Sequence, residues 1–147
     1  MKNSIYLEAV KYDGYSIKYT ENQTEALYLE AVRQDGKAIM YITDQTEALC
    51  LEAVRKNGCA IFWVKDKTEK VRFEAVRQDG IAILYIKDQT EALCLEAVQE
   101  NGHAIDYVIN QTEKVCLAAV KQNEYAIFGI KDPVLREKIR NIIYPTT

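Results

Sequence analysis

The chain repeats itself every 22 residues without a gap. "TEALCLEAVRKNGCAIFWVKDK" at 46–67 and "TEALCLEAVQENGHAIDYVINQ" at 90–111 are two of six units, which span 2–23, 24–45, 46–67, 68–89, 90–111 and 112–133. A remainder, "VLREKIRNIIYPTT", closes the chain. A strict period of this kind marks a solenoid, whose units stack because none can bury its apolar face alone. It predicts one repeat domain over 1–147 and allows each residue to be discussed by its column, 1 to 22, within the unit.

Local signals divide the unit in two. Column 13 holds Gly14, Gly36, Gly58, Gly80 and Gly102, each after Asp or Asn. Gly just past a helix adopts the left-handed conformation cheaply, so this pair predicts a helix stop. At the other end, "DQTE", "DKTE" and "NQTE" place Asp or Asn three residues before Glu, as in Asp44/Glu47, Asp66/Glu69 and Asp88/Glu91. That spacing predicts a capping box. A first helix is therefore expected from about column 22 to column 11 of the next unit. Its apolar columns are typified by Leu49, Cys50, Leu51, Ala53 and Val54.

The second half of the unit, "AIMYI", "AIFWV", "AILYI" or "AIDYV", is rich in β-branched and aromatic residues, which suit a strand and an α/β solenoid. Column variation favours a helix instead. Columns 15, 16, 18 and 19 hardly change, as in Ala82, Ile83, Tyr85 and Ile86, whereas 14, 17 and 20 change freely. Variation every third residue fits a short helix with one outward face, partly 3₁₀ in character, and a half-buried strand would vary every second residue. The expected fold is an all-α solenoid of six helix–turn–helix units. Its ends look like caps: Ser16, Lys18, Thr20 and Glu21 make the first unit polar, and Asp132-Pro133 starts a closing helix at 133–143. That helix spaces Leu135, Ile139, Ile142 and Ile143 along one face.

"LEAVRQDGKAIMY" and "LAAVKQNEYAIFG" resemble the bacterial repeat family called domain of unknown function 4116, whose units share an EAVKQNG-x-AL-x-Y signature. The similarity covers all six units and implies tandem helical hairpins of bacterial or mobile-element origin. It implies no activity, cofactor or catalytic residue. The chain departs from the family in its shorter, regular unit and in Glu124, which stands where the other units have Gly.

The 147 residues are 48% hydrophobic and 28% charged with a net charge of −3, as expected of one globular unit. So mild a charge gives no basic track for nucleic acid and is too weak for a DNA mimic, so direct nucleic-acid binding is not expected. "MKNSIYLEAV" lacks a signal-peptide apolar run, and no stretch approaches the ~20 apolar residues of a membrane span. The expected location is cytoplasmic, with Cys50, Cys59, Cys94 and Cys116 as reduced thiols packed like small apolar residues.

No catalytic group, cofactor site or metal site is expected. The column-7 glutamates (Glu8, Glu30, Glu52, Glu74, Glu96) precede Lys11, Arg33, Arg55 and Arg77 by three residues, the spacing of a self-neutralised helix face. Cys50, Cys94 and Cys116 share column 5. Stacked helices lie ~8–10 Å apart, beyond the ~7 Å a disulfide spans, and no Cys/His cluster has zinc spacing. His103 is the lone histidine and has no nucleophile assignable to it. The aromatic column 18 (Tyr19, Tyr41, Trp63, Tyr85, Tyr107) could stack bases, but its constancy favours packing with the phenol reaching a polar partner.

Units differ most at columns 14 and 17. Column 14 reads Tyr15, Lys37, Cys59, Ile81, His103 and Tyr125, and column 17 reads Lys18, Met40, Phe62, Leu84, Asp106 and Phe128. These twelve are the candidate protein-binding residues, the alternative being relaxed surface or tolerant core. The function expected is a non-enzymatic interaction module that binds another protein or a second copy of itself. A second expectation is a small mobile-element-type inhibitor that occludes a host nucleic-acid-processing enzyme.

Overall fold

The computed structural model describes residues 2–146 and is built from alternating α- and 3₁₀-helices. The α-helices are α1 (Lys2–Tyr12), α2 (Glu25–Gln34), α3 (Glu47–Lys56), α4 (Glu69–Gln78), α5 (Glu91–Glu100), α6 (Glu113–Gln122) and α7 (Pro133–Ile143). Between them lie the 3₁₀ helices η1 (Gly14–Tyr19), η2 (Gly36–Tyr41), η3 (Gly58–Trp63), η4 (Gly80–Tyr85), η5 (Gly102–Tyr107) and η6 (Glu124–Gly129). No strand occurs among the described residues, so the all-α expectation holds and the α/β alternative falls. The chain forms two compact units, Met1–Gln78 with α1 to α4 and η1 to η3, and Asp79–Thr147 with η4 to η6 and α5 to α7.

Each repeat is one α-helix followed by one 3₁₀ helix, and both bury one side. The fully buried large side chains include Leu49 and Leu93 at column 4, with Ile17, Ile39, Ile61, Ile83 and Ile105 at column 16. Alanines at columns 8 and 15, such as Ala31, Ala38, Ala97 and Ala104, are equally buried and keep the packed backbones close. In the first unit Val10, Ile17, Leu27, Ala31 and Ala38 form one cluster with Tyr6, Leu7, Tyr15, Tyr28 and Tyr41 against it. Burying one Ile or Leu this completely contributes roughly 1.5–3 kcal/mol, so loss of a neighbouring repeat exposes more than a single repeat can spare.

Two local expectations are corrected. The α-helices start at column 2, and their N-cap is Thr at column 1: the Oγ of Thr46 accepts from the Leu49 amide at 3.3 Å, and that of Thr90 from Leu93 at 3.2 Å. Asp44 therefore lies two residues before the cap and Glu47 is the first helical residue, so no capping box forms. The reason is tertiary, because the intervening Gln must stay extended and outside the helix to bind elsewhere. Nor is any glycine left-handed, since no described residue has positive φ. The turn passes instead through the column-12 Asp or Asn, held extended (φ −152°, ψ 108° at Asn57), which ends one helix and caps the next. Its Oδ1 accepts from the amide two residues on, at 2.9 Å for Asp35 with Lys37 and 3.0 Å for Asn101 with His103. Asp and Asn both offer that oxygen, so they interchange freely.

Glycine at column 13 is required by a neighbour. A Cβ on Gly14 would sit 2.5 Å from the Ala31 carbonyl oxygen, and one on Gly102 would sit 2.7 Å from that of Ala119. Gly36 meets Ala53 and Gly80 meets Ala97 in the same way. Each 3₁₀ start thus abuts the carbonyl near the end of the next repeat's helix. Glu124 breaks the column where the next element is α7 instead of a repeat helix, and its Oε2 accepts from the Tyr144 hydroxyl at 3.2 Å.

A second link is made by Gln at column 22. Gln45 Nε2 donates to the carbonyls of Ile39 and Trp63, both at 3.1 Å, while its Oε1 accepts from the Lys65 amide at 2.9 Å. Gln89 bridges Ile83, Tyr107 and the Ile109 amide, and Gln111 bridges Ile105, Gly129 and the Lys131 amide. One side chain therefore joins the end of its own 3₁₀ helix to the same place one repeat later. Column 5 donates to the same oxygen: Tyr28 through its hydroxyl to Gln23 (3.0 Å), and Cys50 and Cys94 through weaker thiol contacts to Gln45 and Gln89 (4.0 and 3.8 Å). A shared donor role explains how Tyr and Cys occupy one column.

At the carboxyl end Asp132 caps α7, accepting from the Val134 and Leu135 amides, with Pro133 in the first turn as expected. Ile139 is fully buried and Leu135 and Ile143 are half-buried, but Ile142 is exposed and lies off the covering face. Arg136 donates to the Ile130 carbonyl and so ties α7 to the last 3₁₀ segment.

If the glycines are there for neighbours, Gly36→Ala should cost about 1–3 kcal/mol, because backbone and not a pliable side chain must give way. Glu124→Gly, freed of that constraint, should change stability by less than about 1 kcal/mol. Urea melts of both variants check this; a neutral Gly36→Ala would contradict the close-approach account.

Candidate protein-binding surface

A 3₁₀ helix has three residues per turn, so residues three apart eclipse one another. Columns 16 and 19 thereby share the face that carries the buried isoleucines, such as Ile39 with Ile42 and Ile83 with Ile86. Columns 15 and 18 share a second face, with buried alanines and half-buried Tyr41, Trp63 and Tyr85. Columns 14 and 17 take the third and point outward. That geometry is the physical source of the every-third-residue variation in the sequence.

Column 17 is surface throughout. Lys18 and Asp106 are exposed, and so are Met40 (44%), Phe62 (55%), Leu84 (47%) and Phe128 (72%). Column 14 is graded: Tyr15, Lys37, Cys59 and Ile81 are half-buried, whereas His103 and Tyr125 are exposed. The alternative of a tolerant core therefore fails for column 17.

In the first unit Met40 and Phe62 lie one repeat apart on η2 and η3. Phe62 is braced edge-on by Trp63, ring centroids 5.0 Å apart. Tyr15 meets Tyr41 edge-on at 5.9 Å, and Lys18 Nζ lies 4.6 Å from the Tyr19 ring centre and 5.6 Å from that of Tyr41. Burial, then the neighbouring Asp35 carboxylate, raises the Tyr15 phenol above its ordinary range. Lys18 is thus sheltered by aromatic faces at the amino-terminal end of the column, as cation–π attraction allows.

In the second unit Leu84, Asp106 and Phe128 carry column 17. Asp106 occupies space that a side chain at 129 would need, which accounts for Gly129 in the aromatic column. Tyr125, Phe128 and Tyr144 border a recess of about 340 Å³ between η6 and α7, with Ile127, Arg140 and Glu124 around it. His103 Nε2 lies 3.0 Å from Asn123 Nδ2.

The aromatic column does not behave uniformly. Tyr19 is 73% exposed and Tyr107 38%, and Tyr41 packs by its ring edge. Outside that column, Tyr28 donates its hydroxyl to Gln23 and Tyr144 donates to Glu124.

The Glu/Arg face is neutralised, though not only within each helix. Lys11–Glu8 (3.6 Å) and Arg55–Glu52 (3.8 Å) are the expected three-residue pairs. Arg33–Glu52 (3.4 Å) and Arg55–Glu74 (3.1 Å) run instead from one repeat to the next. Cys50, Cys94 and Cys116 are buried free thiols; burial pushes all three up, Cys116 to about 11. Among the described residues no group of three His, Cys, Asp or Glu side chains converges as metal ligands, and no helix is long and apolar enough to cross a membrane. No family model, curated protein or solved structure matches this chain.

No local rule assigns a role to the column-22 glutamines: their recurrence at 23, 45, 89 and 111 is visible, but the partner of each lies one repeat away.

Replacing Met40 and Phe62 together by Ser should leave the helical circular-dichroism spectrum intact and cost less than about 1 kcal/mol, as for exposed positions. Ile39→Ala or Ile61→Ala, one residue earlier, should cost about 2–5 kcal/mol each. Equal losses from the two sets would place column 17 in the core.

Proposed function

We propose that this chain is a non-enzymatic protein-interaction module that meets its partner through the outward face of its 3₁₀ helices. The observation that carries this reading is the apolar character of column 17 where it is exposed. Met40 and Phe62 on the first unit, and Leu84 and Phe128 on the second, sit in solvent in repeats that otherwise hide their large aliphatic side chains. Exposed apolar side chains gathered on one face are a common mark of an interaction surface. Aromatic and Met residues suit it, because they supply much contact area at little conformational cost.

Specificity would come from the polar members of the same columns. Lys18 and Lys37 give the first unit a cationic edge, and Asp106 sets an acid between Leu84 and Phe128. A repeated backbone with individual outward side chains can select a partner by register as well as by chemistry. The non-enzymatic part of the reading is supported by the scatter of reactive groups: His103 is a surface residue beside Asn123, and the column-5 thiols are buried with raised pKa.

Affinity capture from the cell of origin, with the intact chain and with Met40→Ser/Phe62→Ser/Leu84→Ser/Phe128→Ser, tests the proposal. A protein held by the parent chain and lost by the folded variant is the expected result; sedimentation of both identifies a second copy if that is the partner. Retention of the same protein by the folded variant would move the binding face away from column 17.

A further inference from the structure

The outer α-helical face of the second unit carries a gap that the first unit fills between α2 and α3 and between α3 and α4. In the first unit the column-10 cation of one repeat reaches the column-7 glutamate of the next, as Arg33 reaches Glu52 and Arg55 reaches Glu74. Between α5 and α6 both partners are absent, since Gln99 stands at column 10 and Ala118 at column 7. The place is a recess of about 570 Å³ lined by Leu95, Gln99, Lys114, Leu117, Ala118 and Lys121. A volume of that order is ordinary for a ligand pocket.

Its chemistry is one-sided. Leu95, Leu117 and Ala118 are half-buried, while Lys114 and Lys121 are exposed and make no ion pair among the described residues. Gln122, at one wall, is already occupied: its Oε1 accepts from the Gly102 amide at 2.7 Å, and its Nε2 donates to the Glu100 carbonyl at 3.3 Å. The nearest acid on the same helix, Glu113, is held by Lys138 at 2.6 Å. Lys114 and Lys121 are two helical turns apart, roughly 10 Å along α6. They bracket a small apolar surface with two uncompensated positive charges on a protein whose net charge is −3.

We propose that this recess is a second binding site, which takes an acidic, partly apolar segment of a partner protein. A carboxylate of the segment would take the place that Glu52 and Glu74 fill in the first unit, paired with Lys121 or Lys114. An adjacent aliphatic side chain would cover Leu95, Leu117 and Ala118. Charge complementarity selects the occupant. An extended polyanion such as nucleic acid would gain two lysines and then run over an otherwise acidic chain, whereas a short acidic segment with a leucine matches both the charges and the floor. The site lies on the α-helical face and does not depend on the column-17 reading.

Fluorescence anisotropy with a labelled peptide of Glu-Glu-Leu-Leu-Glu composition and the full chain tests it. The peptide should bind saturably and more weakly as salt rises. Lys114→Glu/Lys121→Glu should weaken binding at least about tenfold. Ala118→Glu, which rebuilds the glutamate column and fills the recess, should do the same while leaving the thermal melt unchanged. Met40→Ser/Phe62→Ser should leave this affinity as it is. The proposal is overturned by the absence of saturable binding, by equal binding of the Lys-Lys-Leu-Leu-Lys counterpart, or by a folded Ala118→Glu variant that binds like the parent. Displacement by a single-stranded oligonucleotide as effective as unlabelled peptide would also overturn it.

Discussion

In the repeats that end in Gln45, Gln89 and Gln111, one side-chain amide bridges backbone groups of two successive 3₁₀ helices. A 3₁₀ helix is short and poorly hydrogen-bonded, and its terminal carbonyls need partners when they are packed against a neighbour. Gln45, Gln89 and Gln111 each supply donors to a carbonyl before them and a carbonyl one repeat later, and accept the amide two residues beyond. The contact fixes backbone against backbone, so repeat spacing does not depend on the variable side chains. The bare glycine at column 13 completes it by letting the next helix's Ala carbonyl close in. Where Gln is absent a cation meets a different carbonyl, at column 19: Lys67 Nζ donates to Val64 at 2.6 Å, and Arg136 donates to Ile130.

Much follows from that fixed spacing. Two faces of each 3₁₀ helix are committed, one to the isoleucines and one to the alanine and aromatic columns. The third varies most, although Tyr15 still meets Tyr41 and Asp106 still crowds Gly129 of the next repeat. The same separation holds on the α-helices, where columns 4, 8 and 9 are buried from the second repeat to the sixth and columns 7 and 10 carry exchangeable charge. Changing Glu to Ala at 118 and the basic residue to Gln at 99 therefore alters the surface and leaves the core alone. Side chains on either face can change without disturbing the repeat, which is the economy of a repeat array.

The sequence made the period, the helical class and the closing helix behind Asp132-Pro133 legible, because each rests on spacing or local chemistry, whereas column 17 could be placed at the surface and not in a tolerant core only by its exposure. It misled at the helix start. Asp44 and Glu47 have capping-box spacing, yet Thr46 caps, since Gln45 must remain outside the helix to reach Trp63, 18 residues on. The glycines were legible as necessary, but for the wrong reason. The atom that excludes a Cβ from Gly14 belongs to Ala31, and no local rule contains that contact. Likewise the three-residue Glu/Arg spacing was visible, whereas the pairing of Arg33 with Glu52 needs the stacking to be known. The recess at Ala118 could have been noticed as the one break in the glutamate column, but its volume and the placing of Lys114 and Lys121 at its edge required coordinates.

Native-state hydrogen exchange in Gln111→Ala tests the glutamine link most directly. The Lys131 amide, which donates to Gln111 Oε1 at 2.8 Å, reports the bond itself, and the buried amides of η5 and η6 report the stacking it maintains. The account predicts that Lys131 loses its protection, that the η5 and η6 amides open together with it, and that global stability falls by about 1–3 kcal/mol as the Gly129 carbonyl and the Lys131 amide lose their side-chain partner. Loss of protection at Lys131 alone, with η5, η6 and the urea midpoint unchanged, would contradict the account and leave apolar packing as the sole source of the stacking.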